Sequence, residues 1–189
     1  MKIFGIVLLC FIMGCSDDEN PTAPQGWQGE FNQAGFPDVI GEYALVTKQF
    51  NVSCSDGSSG NENAISFNLV VTQDDNEITL TQPSSTPLPP GYEITYATPL
   101  SGTVDKEGNL LANQTVKLTI DGVSGEVTVI YYIDGKFKTG GWSGDYEYSL
   151  NAPSESAYCE YKTTFSGDKI GTLGKIGNSI IALPIPLFE

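Results

Sequence analysis

The sequence predicts an all-β protein, an antiparallel up-and-down barrel of about eight strands. Apolar and polar residues alternate with a period of two over most of the chain from Val39 onward, as in strands with one buried face. Turn residues interrupt this alternation at short intervals, and Cys54 and Cys159 lie near its two ends. A β-sandwich is the alternative arrangement of such strands.

The first segment in chain order, residues 1–14, is a predicted secretory signal. Lys2 is followed by an apolar run that is too short to cross the hydrocarbon core of about 30 Å as a helix. Ile12-Met13-Gly14-Cys15 then resembles the lipobox of bacterial lipoproteins. The resemblance implies cleavage before Cys15 and lipid attachment to that residue, as diacylglycerol on its thiol and a further acyl chain, such as palmitate, on its amine. The membrane is then a partner through the lipid anchor.

Residues 15–36 are predicted to be the lipidated cysteine and a flexible tether rich in proline and glycine. Ser16 and the acidic run Asp17-Asp18-Glu19 resemble the signals that sort lipoproteins to the outer membrane and, in some Gram-negative groups, export them to the cell surface. A plain solvated tether is the alternative. Trp27 and Phe31 are the tether residues expected to pack on the domain, which spans 37–167.

Eight strands follow from the alternation, for example Ile65, Phe67 and Leu69 against Ser66 and Asn68. The predicted strands cover about 40–54, 63–73, 77–82, 92–104, 109–120, 125–133, 136–150 and 156–166. Predicted turns lie at 74–76, 106–109, 121–122 and 134–135, the last two being Asp-Gly pairs. Only the proline-rich link 83–91 exceeds hairpin length, and such a meander closes most simply into a barrel. The apolar tail 168–189 has no clear period.

Cys54 and Cys159 are predicted to form a disulfide. Cys10 would leave with the signal and Cys15 carries lipid, so these two remain as an even pair in an oxidising compartment. The first and last strands of a meander barrel are neighbours, which brings the two Cα atoms within bonding range. An immunoglobulin-like sandwich usually bridges internal strands at shorter separation, so the pair favours the barrel.

Gly41-Glu42-Tyr43 opens the first long strand and resembles the Gly-x-Trp motif of lipocalin-like (calycin) barrels, with tyrosine in place of tryptophan. That family packs an arginine over the ring, and this chain contains no arginine. The resemblance implies a closed barrel.

Composition excludes several classes of function. The chain carries 9 Lys and Arg against 23 Asp and Glu, a net charge of −14, and every cation is a lysine. A basic surface for nucleic acid is therefore absent from the sequence. The lack of histidine removes the usual general base and the commonest metal ligand. We expect no cofactor, no metal and no catalysis.

Aromatic residues supply the ligand-binding candidates, which concentrate in the last three predicted strands. They are Tyr131, Phe137, Trp142, Tyr146, Tyr148, Tyr161 and Phe165. An eight-stranded barrel is just wide enough to be filled by side chains or to hold one small ligand. These rings therefore predict either an amphipathic pocket for an apolar or glycan ligand or a packed core. The glycines around Trp142 indicate a barrel corner or a close approach of two backbones.

Three functional hypotheses follow. The first is a surface-exposed, non-catalytic outer-membrane lipoprotein whose barrel binds a small ligand or a partner. The second is a structural or protease-inhibitor-like interaction module. The third is a hydrolase in which Glu147 and Glu160, on adjacent predicted strands, form a carboxylate pair.

Overall fold

The computed structural model describes residues 27–83, 88 and 90–171. These residues form one antiparallel sheet of eleven strands and a 3-10 turn at Pro153–Glu155. The strands are β1 Gly41–Thr47, β2 Phe50–Cys54, β3 Ser59–Glu62, β4 Ser66–Asp74, β5 Glu77–Thr81, β6 Tyr92–Ala97, β7 Leu100–Val104, β8 Asn109–Ile120, β9 Val127–Lys138, β10 Gly141–Ala152 and β11 Ala157–Gly171. The chain is all-β over this part, as predicted.

Eight of the strands close into a barrel. The order is β1-β4-β5-β7-β8-β9-β10-β11, and β1 pairs with β11 to complete the ring. Each barrel strand pairs with the next barrel strand along the chain, so the predicted up-and-down barrel is confirmed. The three remaining strands extend the sheet outside the ring, with β3 on β2, β2 on β11 and β6 on β8.

The sheet therefore divides into two halves. The closed half is the ring itself, formed by β1, β4, β5 and β7 with residues 109–113, 132–138, 141–147 and 163–171. The open half contains β2, β3 and β6 with residues 115–120, 127–131, 148–152 and 157–162. Within the described residues, β3 and β6 have no strand partner on their outer sides.

Breaks in the shorter strands produce this division. The predicted strand 40–54 is interrupted at Lys48 and Gln49 into β1 and β2, and the predicted strand 92–104 is interrupted at residues 98–99 into β6 and β7. β3 lies in a segment that was predicted as a loop. The break at Lys48 and Gln49 has no signal in the sequence, because both residues are ordinary polar ones. The break at residues 98–99 contains Pro99, which cannot donate to a strand ladder, so the sequence did hold a signal for that interruption.

Threonine hydroxyls replace backbone hydrogen bonds at each break. Thr163 Oγ1 donates to the carbonyls of Lys48 at 3.0 Å and Gln49 at 3.1 Å. Thr47 Oγ1 accepts a bond from the Ile65 amide at 2.9 Å, between β3 and β4. Between β6 and β7, Thr98 Oγ1 accepts from the Thr115 amide at 2.9 Å. The breaks thus leave few buried backbone groups without partners.

The predicted turn at Asp134-Gly135 is wrong, because β9 continues through both residues to Lys138. The hairpin lies instead at Thr139 and Gly140, where the glycine has a φ of 81°. Gly135 pairs with Gly144 across β9 and β10, and a Cβ on either would collide with the facing chain. These two glycines serve a close approach of strands rather than a turn.

Residues 27–40 lie across the end of the closed half. Trp27 is buried, its indole nitrogen donates to the Glu30 carbonyl at 2.9 Å, and its ring lies beside Gly108. Phe31 forms an isolated bridge with Pro37 and packs against the core. Both aromatic residues that the sequence placed in the tether therefore contact the barrel.

The predicted disulfide between Cys54 and Cys159 is confirmed, with an S–S distance of 2.03 Å. The two cysteines are register partners on β2 and β11, so the bond lies within the open half and ties β2 to the longest strand. The predicted signal, Cys15, residues 16–26 and residues 172–189 lie outside the described residues.

No helix in the described part of the chain combines the length and the apolar character needed to cross a membrane.

Candidate functional site

The aromatic residues predicted from the sequence all lie inside the barrel. Exposure ranges from 0% for Tyr131 to 6% for Phe165. They alternate along β9, β10 and β11 with outward residues, as expected from the period of two. The structure brings them together in two groups, one in the closed half and one where the halves meet.

The group in the closed half is tightly packed. The Trp142 ring lies 4.9 Å from Phe137 and 4.8 Å from Phe165, measured between centroids. Tyr43 contacts Phe137 at 5.6 Å and Trp142 at 6.2 Å. Centroid distances in this range are those of favourable aromatic pairs, so this group forms the core of the ring.

Tyr43 carries the lipocalin-like motif and has a cation beside its ring. Lys169 of β11 places its Nζ 6.0 Å from the Tyr43 centroid. The Tyr43 hydroxyl donates to the Val39 carbonyl at 2.9 Å. Burial, followed by the charge of Asp38, raises the pKa of Tyr43. A lysine from the last strand thus contributes a cation beside the buried Tyr43 ring.

The second group is the tyrosine cluster, defined as Tyr131, Tyr146, Tyr148 and Tyr161. Tyr148 stacks on Tyr161 at 4.3 Å, and Tyr131 lies parallel to Tyr146 at 6.4 Å. Phe50 of β2 packs edge-on against Tyr146 at 5.7 Å and Tyr148 at 5.6 Å. Sequence reasoning missed Phe50, although its alternation with Val52 could have indicated an inward position.

Two hydroxyls of the tyrosine cluster are buried without a hydrogen-bond partner in the part of the chain that the structure describes. They belong to Tyr146 and Tyr148, which are 1% and 2% exposed. Burying a hydroxyl without a partner costs about 1–3 kcal/mol, so such groups usually have a role or a partner from outside the chain. The cluster therefore holds buried polar atoms among apolar ring surfaces.

The electrostatics of the cluster keep its hydroxyls neutral. Burial raises the pKa of Tyr146, and the neighbouring Tyr131 and Tyr148 raise it further. Burial and then the charge of Glu62 raise the pKa of Tyr161 to about 12. Neutral phenols donate and accept hydrogen bonds but are poor bases and nucleophiles. The cluster is thus suited to binding.

The carboxylate pair considered from the sequence lies on the outer face. Glu147 Oε2 and Glu160 Oε2 lie 3.6 Å and 3.3 Å from Lys162 Nζ. The hydrogen bond from Tyr158, followed by that from Lys162, lowers the pKa of Glu160. A general acid of a glycosidase needs a raised pKa, so Glu160 is poorly suited to that role.

Acidic residues in the turns do not gather into a metal site. Among the residues that the structure places, no three Asp, Glu, His or Cys side chains come close enough to hold a metal ion.

The fold and the tyrosine cluster define the class: a closed eight-stranded antiparallel β-barrel with three extra strands and an aromatic interior. Searches of protein-family models, curated proteins and solved structures find no match to the chain.

Proposed function

We propose that this chain is a bacterial lipoprotein, held in the outer membrane by lipid on Cys15 and exposed at the cell surface. Its barrel binds one small, largely apolar ligand with a polar group and does not convert it chemically. The observation that supports ligand binding is that the buried hydroxyls of Tyr146 and Tyr148 have no hydrogen-bond partner among the described residues. The lipobox-like Ile12-Met13-Gly14-Cys15 supports the anchor.

The surroundings of the two hydroxyls indicate the ligand chemistry. The rings of Phe50, Phe67 and Tyr131 pack around Tyr146, so an occupant meets apolar surface on several sides. A hydroxyl, carbonyl or ether oxygen on that occupant would satisfy the tyrosines. Pockets of this composition bind through apolar contact and use a few polar groups for orientation.

We infer that a ligand would reach the cluster through the open half. β3 and β6 are the two edges of that half, and no described strand joins them. Glu62 on β3 is half-buried and its charge acts on Tyr148 and Tyr161, so β3 lies beside the cluster. A ligand entering between the edges would reach Tyr148 first.

The binding proposal is tested by mass spectrometry of small molecules extracted from the purified full-length protein. We expect one compound to be retained by the wild type and at least about tenfold less by the Tyr146→Phe/Tyr148→Phe double variant, a difference of about 1.4 kcal/mol. Tyr158→Phe, at an exposed tyrosine on β11, is the matched control and should retain the compound. No compound, or equal retention in all three proteins, would contradict the proposal.

The anchor is tested separately with Cys15→Ser. We expect this variant to lose incorporation of labelled palmitate and to leave the membrane fraction. Cys10→Ser changes the other N-terminal cysteine, within the apolar run, and should behave as the wild type. Protease digestion of intact cells then distinguishes surface from periplasmic exposure. Unchanged fractionation of Cys15→Ser would refute the lipid anchor.

A second candidate function, a protein-interaction module, is favoured by the two edge strands of the open half. Unpaired strand edges can add a strand from another protein. A photo-crosslinker at Glu93 on β6 should then give a discrete adduct in cells, whereas the same group at Tyr132 should not. Equal labelling at both positions would count against this candidate.

A further inference from the structure

The outer face of the barrel carries a groove at the break between β1 and β2. Its volume is about 340 Å³, and Lys48, Gln49, Asn51, Asp145, Glu147 and Lys162 contribute to its walls. The groove is distinct from the tyrosine cluster, because Glu147 alternates along β10 with the inward Tyr146 and Tyr148. Its volume lies at the lower end of small-molecule sites, which span about 300–1,000 Å³.

The strand break shapes the groove. Lys48 and Gln49 leave the ladder, and their carbonyls are held by the Thr163 hydroxyl at 3.0 and 3.1 Å. The Lys48 amide still donates to the Thr164 carbonyl at 2.9 Å. Hydrogen bonds that join Lys48 and Gln49 to β11 therefore fix the part of the groove that the break forms.

The side chains of the groove have balanced charge and mixed hydrogen-bonding character. Lys48 and Lys162 face Asp145 and Glu147, and Lys162 Nζ lies 3.6 Å from Glu147 Oε2. Gln49 and Asn51 add amides, which both donate and accept. The two carboxylates would repel an anion, and the two lysines would repel a cation. A neutral ligand with many hydroxyls, each a donor and an acceptor, matches this set.

An exposed aromatic ring lies next to the groove. Tyr132 on β9 is the register partner of Glu147 and is 46% exposed. Asn113 is its register partner on the other side, and Lys162 pairs with Glu147 and with Asn51. One row across five strands therefore presents an amide, a ring, a carboxylate, an ammonium group and a second amide. The ring offers an apolar surface to the C–H face of a pyranose.

We propose that the groove and Tyr132 form a binding site for a neutral saccharide. Tyr132 stacks on one sugar ring, Glu147 and Asp145 accept from its hydroxyls, and Lys162 and Asn51 donate to them. The site is separate from the interior and does not depend on the function proposed above.

Saturation-transfer NMR and calorimetric titration with cellobiose, maltotriose and N,N′-diacetylchitobiose test the site. We expect at least one of them to bind with a dissociation constant at or below about 1 mM, equivalent to about −4 kcal/mol. Tyr132→Ala and Glu147→Gln should each weaken binding at least fivefold. Tyr96→Ala removes a tyrosine of similar exposure, 52%, from β6 and should leave binding unchanged.

Two results would overturn the proposal. One is the absence of binding by all three sugars at about 10 mM, well above the affinity expected of a useful site. The other is an equal change of sugar affinity in the Tyr96→Ala and Tyr132→Ala variants. Ligand extraction from the interior gives an independent readout, so failure here is distinguishable from failure of the interior site.

Discussion

The closed and open halves of the barrel use the same four long strands, β8 to β11, yet they end differently. In the closed half each strand has a partner on both sides, whereas the open half ends at the edges of β3 and β6 within the described chain. The difference arises in the shorter strands, which break while the long ones continue. A continuous sheet can thus combine a closed ring with an end at which two strand edges lack a strand partner among the described residues.

Tyr43 in the closed half and Tyr148 in the open half differ in the hydrogen bonding of their hydroxyls. Tyr43 in the closed half donates its hydroxyl to the Val39 carbonyl, while the buried hydroxyl of Tyr148 has no partner in the described chain. The packing of both rings is dense, so the contrast concerns polar satisfaction rather than burial. Among the described residues, the Tyr146 hydroxyl and Trp142 Nε1 on the closed side are also buried without a hydrogen-bond partner, so this contrast holds for Tyr43 and Tyr148 and not for the two halves as wholes.

The largest expected effect is the loss of folding stability at alkaline pH, where the buried tyrosines of the two halves ionise. Burial first, with charged or tyrosine neighbours in several cases, raises the folded-state pKa of Tyr43, Tyr131, Tyr146, Tyr148 and Tyr161. The unfolded chain ionises near pH 10, so the stability is complete below pH 10 and is lost as the pH rises toward the folded values, about 12 for Tyr161. Each tyrosine contributes a slope of up to about 1.4 kcal/mol per pH unit.

Urea unfolding between pH 8 and pH 11 measures this loss, with absorbance at 295 nm reporting ionisation. Four of the five tyrosines belong to the tyrosine cluster, so Tyr43→Phe should remove only about one fifth of the slope. A urea midpoint of unfolding that does not change above pH 10 would show that these hydroxyls are solvated in the folded protein.

Removal of Trp142 should be the most damaging single substitution in the closed half. Trp142→Ala is expected to lower the free energy of unfolding by about 3–5 kcal/mol, because the ring fills the space over Gly135 between Phe137 and Phe165. Leu111→Ala, at a residue 60% exposed on the outer face, is the control and should change stability by less than about 0.5 kcal/mol. Similar losses of unfolding free energy in the two variants would mean that the Trp142 side chain is not part of the core of the closed half.

Removal of the disulfide should act on the open half. Cys54→Ala/Cys159→Ala is expected to cost about 2–5 kcal/mol, since the bond closes a long loop in the unfolded chain. Hydrogen exchange should accelerate first in β2 and β3, which the bond ties to β11, and least in β1 and β4. Uniform acceleration across the sheet would contradict the division into halves.

The smallest effects distinguish the two kinds of buried tyrosine. Tyr43→Phe should lower the free energy of unfolding by about 1 kcal/mol, because it leaves the Val39 carbonyl without its donor. Tyr148→Phe should raise it by about 1 kcal/mol in protein freed of small molecules, because it removes a hydroxyl that has no partner in the described chain. Equal losses in both variants would show that Tyr148 is satisfied and would weaken the binding proposal.

Much of the fold was predictable because period-two alternation and turn residues report directly on strands. The barrel, its meander order and the pairing of Cys54 with Cys159 followed from these patterns. The break between β6 and β7 contains Pro99 and could have been predicted from that residue. The break between β1 and β2 could not, since it depends on tertiary contacts such as the bonds from Thr163 to Lys48 and Gln49. The Asp134-Gly135 error has the same origin, because the glycine is required by its contact with Trp142 across the hairpin.

The candidate site was predictable only in part. The aromatic residues of β9 to β11 were recognised as inward candidates, but Phe50 and Glu62 came to the tyrosine cluster from β2 and β3. Whether a buried hydroxyl has a partner depends on the position of every neighbouring atom. The groove beside Tyr132 likewise depends on a strand break that the sequence does not reveal.

Trp27 at the end of the closed half has a consequence for orientation under the proposed lipid anchor. Eleven residues separate Cys15 from Trp27, so their Cα atoms can be at most about 43 Å apart in a fully extended chain. Trp27 packs beside Gly108, at the end of the barrel opposite β3 and β6. Under the proposed anchor, this end would be the one tied to the bilayer, and β3 and β6 would lie at the end away from the attachment.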